Sequence, residues 1–290
     1  MEKLRNNKLK KKIVVCKDAG AAQLVLSYLI AKKIKFDAIL EEPALSIFKE
    51  KLNKINFISY KNFSKNIAYY DEAIIGTGVK KFEITLLKKI KDKIKTKCFV
   101  DHWCFYKERF LYKKKNIFPS IIVAHDKISY LELKKNFPTQ KINLIENYYW
   151  KDQIKRFKKY KKNITKNILI LLSSLNENDF KPSIIFNFLK NLKNKNFNGK
   201  IILRPHPLDV KKKFTKKFPL LRNFHYEISK KREIGEDINR SDFVIGFKTS
   251  SLILAKKFKK KTFTFHSLKL LRMSVPHKTI KNINIFYKQI

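Results

Sequence analysis

Short apolar runs alternate with longer amphipathic segments along most of this chain, and that rhythm constrains its fold more than any other feature. Parallel strands joined by crossover helices produce it, because such strands are buried on both faces and the helices cover them. In the first half, residues 13–16, 36–40, 56–59, 72–76, 98–101, 120–124 and 142–145 read as strands. Helices fit between them at 21–32, 43–52, 80–91 and 127–136. A second series follows, with strands at 167–172, 200–203, 225–228, 242–245 and 262–265. Its helices fit at 182–193, 208–218, 234–239 and 250–258.

Between the two series lies a nearly all-polar, basic stretch, 152–166, that reads as a solvated helix and linker. A chain of 290 residues is long enough for two domains of ordinary size. The expectation is an α/β protein of two Rossmann-like domains facing across a cleft, spanning 1–155 and 156–290. The amino-terminal domain would hold the acceptor and the base, and the carboxyl-terminal domain the donor nucleotide.

In parallel sheets, ligands bind beyond the carboxyl ends of the strands, where strand order reverses. The residues that follow the predicted strands are therefore the candidates for chemistry. In the first domain these are Asp18-Ala19-Gly20, Glu41-Glu42-Pro43, Gly76-Thr77-Gly78, Asp101-His102-Trp103 and His125-Asp126. In the second they are Ser173-Ser174, Arg204-Pro205-His206-Pro207 and the run from Gly246 through Lys248 to Thr249-Ser250-Ser251. The usual strand order sets the first, second and fourth strands of the second series side by side, so Ser173, His206 and Ser250 would converge. A helix starting near Thr249 offers free N–H groups and a positive dipole end to a phosphate. The hydroxyls of Thr249, Ser250 and Ser251, the charges of Arg204 and Lys248 and the imidazole of His206 suit the same anion. The plainer alternative makes Ser250 an N-cap and the two prolines strand stops. Gly76-Thr77-Gly78 is not a full dinucleotide fingerprint, which argues against a nicotinamide enzyme.

Leu203-Arg204-Pro205-His206-Pro207, followed by Ser241 to Gly246 and Thr249-Ser250-Ser251, resembles GT-B-type transferases of bacterial surface polymers. The nearest patterns are those of bacterial sialyl- and polysialyltransferases and CDP-glycerol glycerophosphotransferases. The resemblance implies a GT-B-like enzyme, inverting and metal-independent, with no cofactor. It would move a sugar or polyol phosphate from a CMP- or CDP-linked donor to a glycan or glycolipid acceptor. His206, Ser250 and Ser251 would hold the donor phosphate. The sialyltransferase pattern also has an acidic-acidic-Gly motif that supplies the base. The nearest match here is Asp18-Ala19-Gly20, with Ala at the middle position. Asp101 and His102 are rival bases, beside Trp103 as an aromatic face for a sugar. His125-Asp126 ranks third, because an Asp ahead of a helical segment serves as an N-cap. A UDP-sugar epimerase shares the two-domain fold and would need several carboxylates around one sugar. A transferase fold that has lost catalysis is a further alternative, kept open by that Ala.

Composition narrows the partners. Hydrophobic residues make up 44% of the chain, with 24 Phe and 12 Tyr, which excludes a disordered protein. The formal charge is +43, but Lys and Arg are spread end to end in a chain equally rich in Ile, Asn and Phe. That reads as residue bias rather than a recognition stripe, and no nucleic-acid motif accompanies it, so no specific nucleic acid is expected. The excess suffices for peripheral contact with an anionic membrane, at roughly 1 kcal/mol per well-placed Lys or Arg. Residues 1–12 lack the apolar core of a secretory signal, and no apolar run of about 18 residues occurs, so a cytoplasmic protein is expected. Three cysteines fit reduced thiols. Cys98, His102 and Cys104 match no common zinc spacing, so no metal is expected.

Overall fold

The computed structural model describes residues 11–79, 81–158, 166–174, 181–209, 216 and 218–290. The chain divides into two compact units, 1–149 and 150–290. Among the described residues, the first unit is built on seven parallel strands: β1 (Lys11–Cys16), β2 (Phe36–Leu40), β3 (Asn56–Phe57), β4 (Tyr70–Thr77), β5 (Lys95–Val100), β8 (Ile121–Ala124) and β9 (Ile142–Leu144). Their order is β3-β2-β1-β4-β5-β8-β9, so the direction of winding reverses between β1 and β4. A small hairpin, β6 (Leu111–Tyr112) and β7 (Lys115–Asn116), stands apart.

Strand residues alternate between two apolar layers. Ile13 and Val15 pack on one face with Ile75, Val100 and Ala124. Val14 and Cys16 pack on the other with Ala38, Ile74 and Phe99. Both layers being apolar explains why these strands read as unbroken hydrophobic runs. Helix α1 (Ala19–Ala31) follows β1 directly and is capped by Asp18, whose carboxylate accepts from Gly20 N at 3.0 Å. Next come α2 (Ala44–Lys51), α3 (Tyr60–Lys65), α4 (Lys81–Ile90), α5 (Tyr106–Arg109), α6 (Lys127–Asn136) and α7 (Tyr148–Phe157). Helix α4 turns Glu83, Ile84, Leu86, Leu87 and Ile90 inward, the spacing of one helical face.

The second unit repeats the plan. Its strands are β10 (Ile168–Leu171), β11 (Ile201–Arg204), β12 (Tyr226–Ile228), β13 (Phe243–Gly246), β14 (Lys261–Thr264) and β15 (Lys281–Asn282). They are parallel and ordered β12-β11-β10-β13-β14-β15, with the reversal between β10 and β13. This is the expected neighbourhood of first, second and fourth strands. Its helices are α8 (Pro182–Asn194), α9 (Ile234–Asn239), α10 (Ser251–Lys257), α11 (Leu268–Arg272) and α12 (Ile283–Phe286). Most of the helix expected over 208–218 lies outside the described residues, as do residues 159–165 of the helix and linker expected over 152–166. Two Rossmann-like α/β units are the architecture of this protein. Among the described residues, no helix is long and apolar enough to cross a membrane.

Candidate active site

Glycine is scarce in this chain, at six residues, and four of them stand at the two winding reversals. Gly20 opens α1, Gly76 and Gly78 close β4, and Gly246 ends β13. No described glycine has positive φ, so these four are not explained by a turn conformation. They are explained by space. A Cβ on Gly20 would overlap Asp101 Oδ2 and lie 3.6 Å from Asp18 Oδ1. A Cβ on Gly78 would stand 3.7 Å from both Asp18 Oδ2 and Glu83 Oε1. Three carboxyl groups, from β1, α4 and β5, thus ring two glycines at the reversal of the first sheet.

One buried arginine answers them. Arg109 Nη1 donates to Asp101 Oδ1 at 2.8 Å and also to the Thr77 carbonyl, and its Nε donates to the Cys104 carbonyl at 3.4 Å. Asp101 therefore has an ion-pair partner. Asp18 differs. Burial and then the charge of Asp101 raise its pKa, while Arg109 pulls the other way. Glu83 is 2% exposed, and burial is the main cause that lifts it from 4.5 to about 7. Its Oε1 accepts from the backbone N–H groups of Lys17 at 2.9 Å and Asp18 at 3.4 Å, whereas its buried Oε2 has no partner.

The other sequence candidates of this unit make contacts of their own. His102 Nδ1 lies 3.3 Å from Cys104 Sγ. Trp103 is buried, with its ring centroid 5.4 Å from that of His102 and 5.2 Å from that of His125, and its Nε1 donates to Asp126 Oδ2 at 2.9 Å. The expectation of an open indole face for a sugar is corrected by this burial. His125 is held at 2.8 Å from the Val100 carbonyl, and burial lowers its pKa, which keeps it neutral at neutral pH. Asp126 caps α6 in a capping box with Ser129. Glu41 pairs with Lys17, and Glu42 accepts from Ser46 at the start of α2.

In the second unit, Ser173 and Ser174 follow β10, Arg204 ends β11, and Lys248 to Ser251 follow β13. Strand pairing sets Leu171 beside both Arg204 and Gly246, which brings these strand ends to neighbouring positions on one sheet edge. Gly246 lets the chain double back: a Cβ there would lie 3.1 Å from Leu171 Cβ and 3.4 Å from Thr249 Cγ2. Thr249 Oγ1 accepts from Ser251 N at 3.2 Å, and the Ser250 hydroxyl caps nothing. Lys248, Thr249, Ser250, Ser251, Ser173 and His206 are all half-buried. Arg204 is committed elsewhere. Its Nη1 donates to the fully buried Asp237, to the Arg232 carbonyl at 2.9 Å and to Ser229 Oγ at 3.5 Å.

Two residues at these edges escape the strand-end rule, and a third obeys it without having been among the sequence candidates. Glu83 and Arg109 come from helices, although an acid on the buried stripe of α4 is a signal legible in sequence. His266 follows β14 by two residues, buried with its ring centroid 5.4 Å from that of Phe247. Among the described residues, no group of three or more His, Cys, Asp or Glu is placed to hold a metal ion.

No family model matches the chain, and no curated protein matches it. Solved structures do. UDP-GlcNAc 2-epimerase from Methanocaldococcus jannaschii superposes with a TM-score of 0.64 at 14% identity, covering 97% of this chain and 92% of that one. UDP-GlcNAc 2-epimerase from Neisseria meningitidis bound to UDP-GlcNAc gives 0.61 at 13% identity, covering 89% and 83%. A ugt transferase from Siraitia grosvenorii in complex with UDP gives 0.54 at 8% identity, covering 89% and 80%. The chain therefore shares the fold of GT-B-type glycosyltransferases and UDP-GlcNAc 2-epimerases.

Proposed function

We propose that this protein is a GT-B-type enzyme acting on a nucleotide-activated sugar, and that its reaction is transfer to a hydroxyl acceptor on a surface glycan or glycolipid. The observation that carries this reading is the ring of carboxyl groups at the first reversal, in which Asp101 is ion-paired with Arg109 while Asp18, at the strand end, has a raised proton affinity. A base of that kind takes the acceptor proton as the new C–O bond forms and the donor C–O bond to phosphate breaks. The departing nucleotide carries the charge, and Lys248, Ser250, Ser251, Thr249, Ser173 and His206 are its ligands in the second unit. Arg204 fixes the strand end through Asp237 and adds its charge to that side of the site. The donor class is a pyrimidine nucleotide sugar. The sequence resemblance favours CMP or CDP, and the structures solved with UDP or UDP-GlcNAc favour UDP.

The test is a panel of CMP-, CDP- and UDP-sugars, with and without a hydroxyl acceptor, read by mass spectrometry. Nucleotide release should depend on acceptor. Asp18→Asn should lower kcat by about 10²–10⁴-fold while leaving nucleotide affinity intact, and His206→Ala should weaken nucleotide binding about tenfold or more. Unchanged affinity in His206→Ala removes the phosphate assignment. The carboxyl convergence also favours a second reading, a UDP-sugar 2-epimerase-like activity. An acceptor-independent change of sugar configuration decides for it.

A further inference from the structure

Helix α4 is amphipathic, and position 83 belongs to its buried stripe. A glutamate there is costly to bury as an anion. What it gains is geometric: Oε1 gathers the two N–H groups that shape the turn from β1 into α1, and Asp18 is the second of them. We infer that Glu83 is a positioning residue for Asp18, fixing the turn that presents it and holding a proton that keeps a further negative charge from its side. This rests on the reading of Asp18 as the base.

The groups facing Glu83 leave it little choice. Asp18 and Asp101 are acidic, and Arg109 is engaged with Asp101. Lys17 points to Glu41 and lies over the Phe82 ring. The Cys16 and Cys98 thiols are buried, and burial raises both so that they stay neutral. Among the described residues, no cation pairs with Glu83, and its Oε2 has no hydrogen-bond partner. Neutral Glu83 satisfies the turn through Oε1 and carries its proton on Oε2. Ionised Glu83 sets a charge beside Asp18 and raises that carboxyl's proton affinity, so the two groups titrate as a coupled pair.

Two variants and one ligand-free measurement test this. Glu83→Gln keeps the acceptor and cannot ionise, so kcat should stay within about threefold of the wild type at pH 6. Glu83→Ala releases the turn, and kcat should drop about tenfold or more with KM little changed. A loss in Glu83→Gln as large as that in Glu83→Ala overturns the proposal, as does an unaltered kcat in Glu83→Ala. In the protein without ligand, the 13C resonance of the Asp18 carboxyl should show a second inflection near pH 7 that Glu83→Gln abolishes. Its absence from the wild type overturns the proposal even if no variant can be assayed. If the inflection is present but no nucleotide sugar turns over, Glu83 still sets Asp18, and it is the catalytic reading that fails.

Discussion

Glu83 carries its own thermodynamic signature, independent of any substrate. Its pKa in the folded protein is about 7, against 4.5 for the exposed group, so the unfolded chain ionises first as pH rises. The raised folded value means that the contribution to stability is full below about pH 4.5 and is lost as pH climbs through 7. Glu83→Gln mimics the protonated side chain at every pH. It should therefore gain on the wild type by on the order of 2 kcal/mol between pH 5 and pH 8, read from urea melts at the two values. An advantage equal at both pH values would mean that Glu83 does not titrate in this range. At this scale the sequence disclosed part of the site. Asp18 and Asp101 are found by the rule of strand ends, because the turn after a parallel strand must expose its residues on one edge. Glu83 and Arg109 are not, since they reach that edge as side chains from α4 and α5. Arg204 shows the converse: a strand-end cation whose partner, Asp237, lies 33 residues on and becomes visible only in the fold.

Helices in this chain end without glycine. After α1, Lys33 takes φ 52°; after α8, Asn196 takes 51°; after α10, Lys259 takes 62°. Each closes a Schellman motif. Ile34 N bonds Leu29 O at 3.0 Å, Phe197 N bonds Leu192 O at 3.1 Å, and Lys260 N bonds Ala255 O at 3.0 Å. A side chain in this left-handed region costs about 1–2 kcal/mol, of which a glycine recovers most, less its larger entropy in the unfolded chain. Lys33→Gly and Lys259→Gly should each stabilise the protein by roughly 0.5–1 kcal/mol in urea denaturation. A loss in either would show that the lysine stem packs well enough to offset the strain. The same scarcity of glycine limits what can be read of the elements. Strands and long helices were legible because apolar runs and helical stripes span several residues; β2 and α6 fall on the expected ranges. The β6–β7 hairpin was not, because its turn is Lys113-Lys114 with φ of 47° and 64°, where Asn or Gly is the ordinary signal. Helices α3, α5, α11 and α12 are too short to show a period.

Over the whole molecule the dominant quantity is the charge of +43. Its cations alternate with carboxylates in local pairs such as Arg156 with Asp152 and Glu233, and Lys200 with Glu227, but 67 basic residues outnumber 24 acidic ones. Most lysines therefore repel one another across solvent, and that repulsion acts against the compact state. At 0.1 M salt the screening length is about 10 Å, so salt should weaken the many long-range repulsions more than the few close pairs. Raising NaCl from about 20 mM to about 300 mM should increase Tm, in contrast to a protein held by surface ion pairs, which loses stability. The same field binds any polyanion. Heparin and duplex DNA should both be retained at low salt without sequence preference and released by about 300 mM, since affinity carried by counterion release falls steeply with salt. The proposed nucleotide binding through His206 and the Lys248–Ser251 turn would use a short-range, partly buried set of donors and should persist at that salt. DNA affinity that survived with the nucleotide's would mean that the basic residues form a built surface after all, and would move the charge from background composition into function.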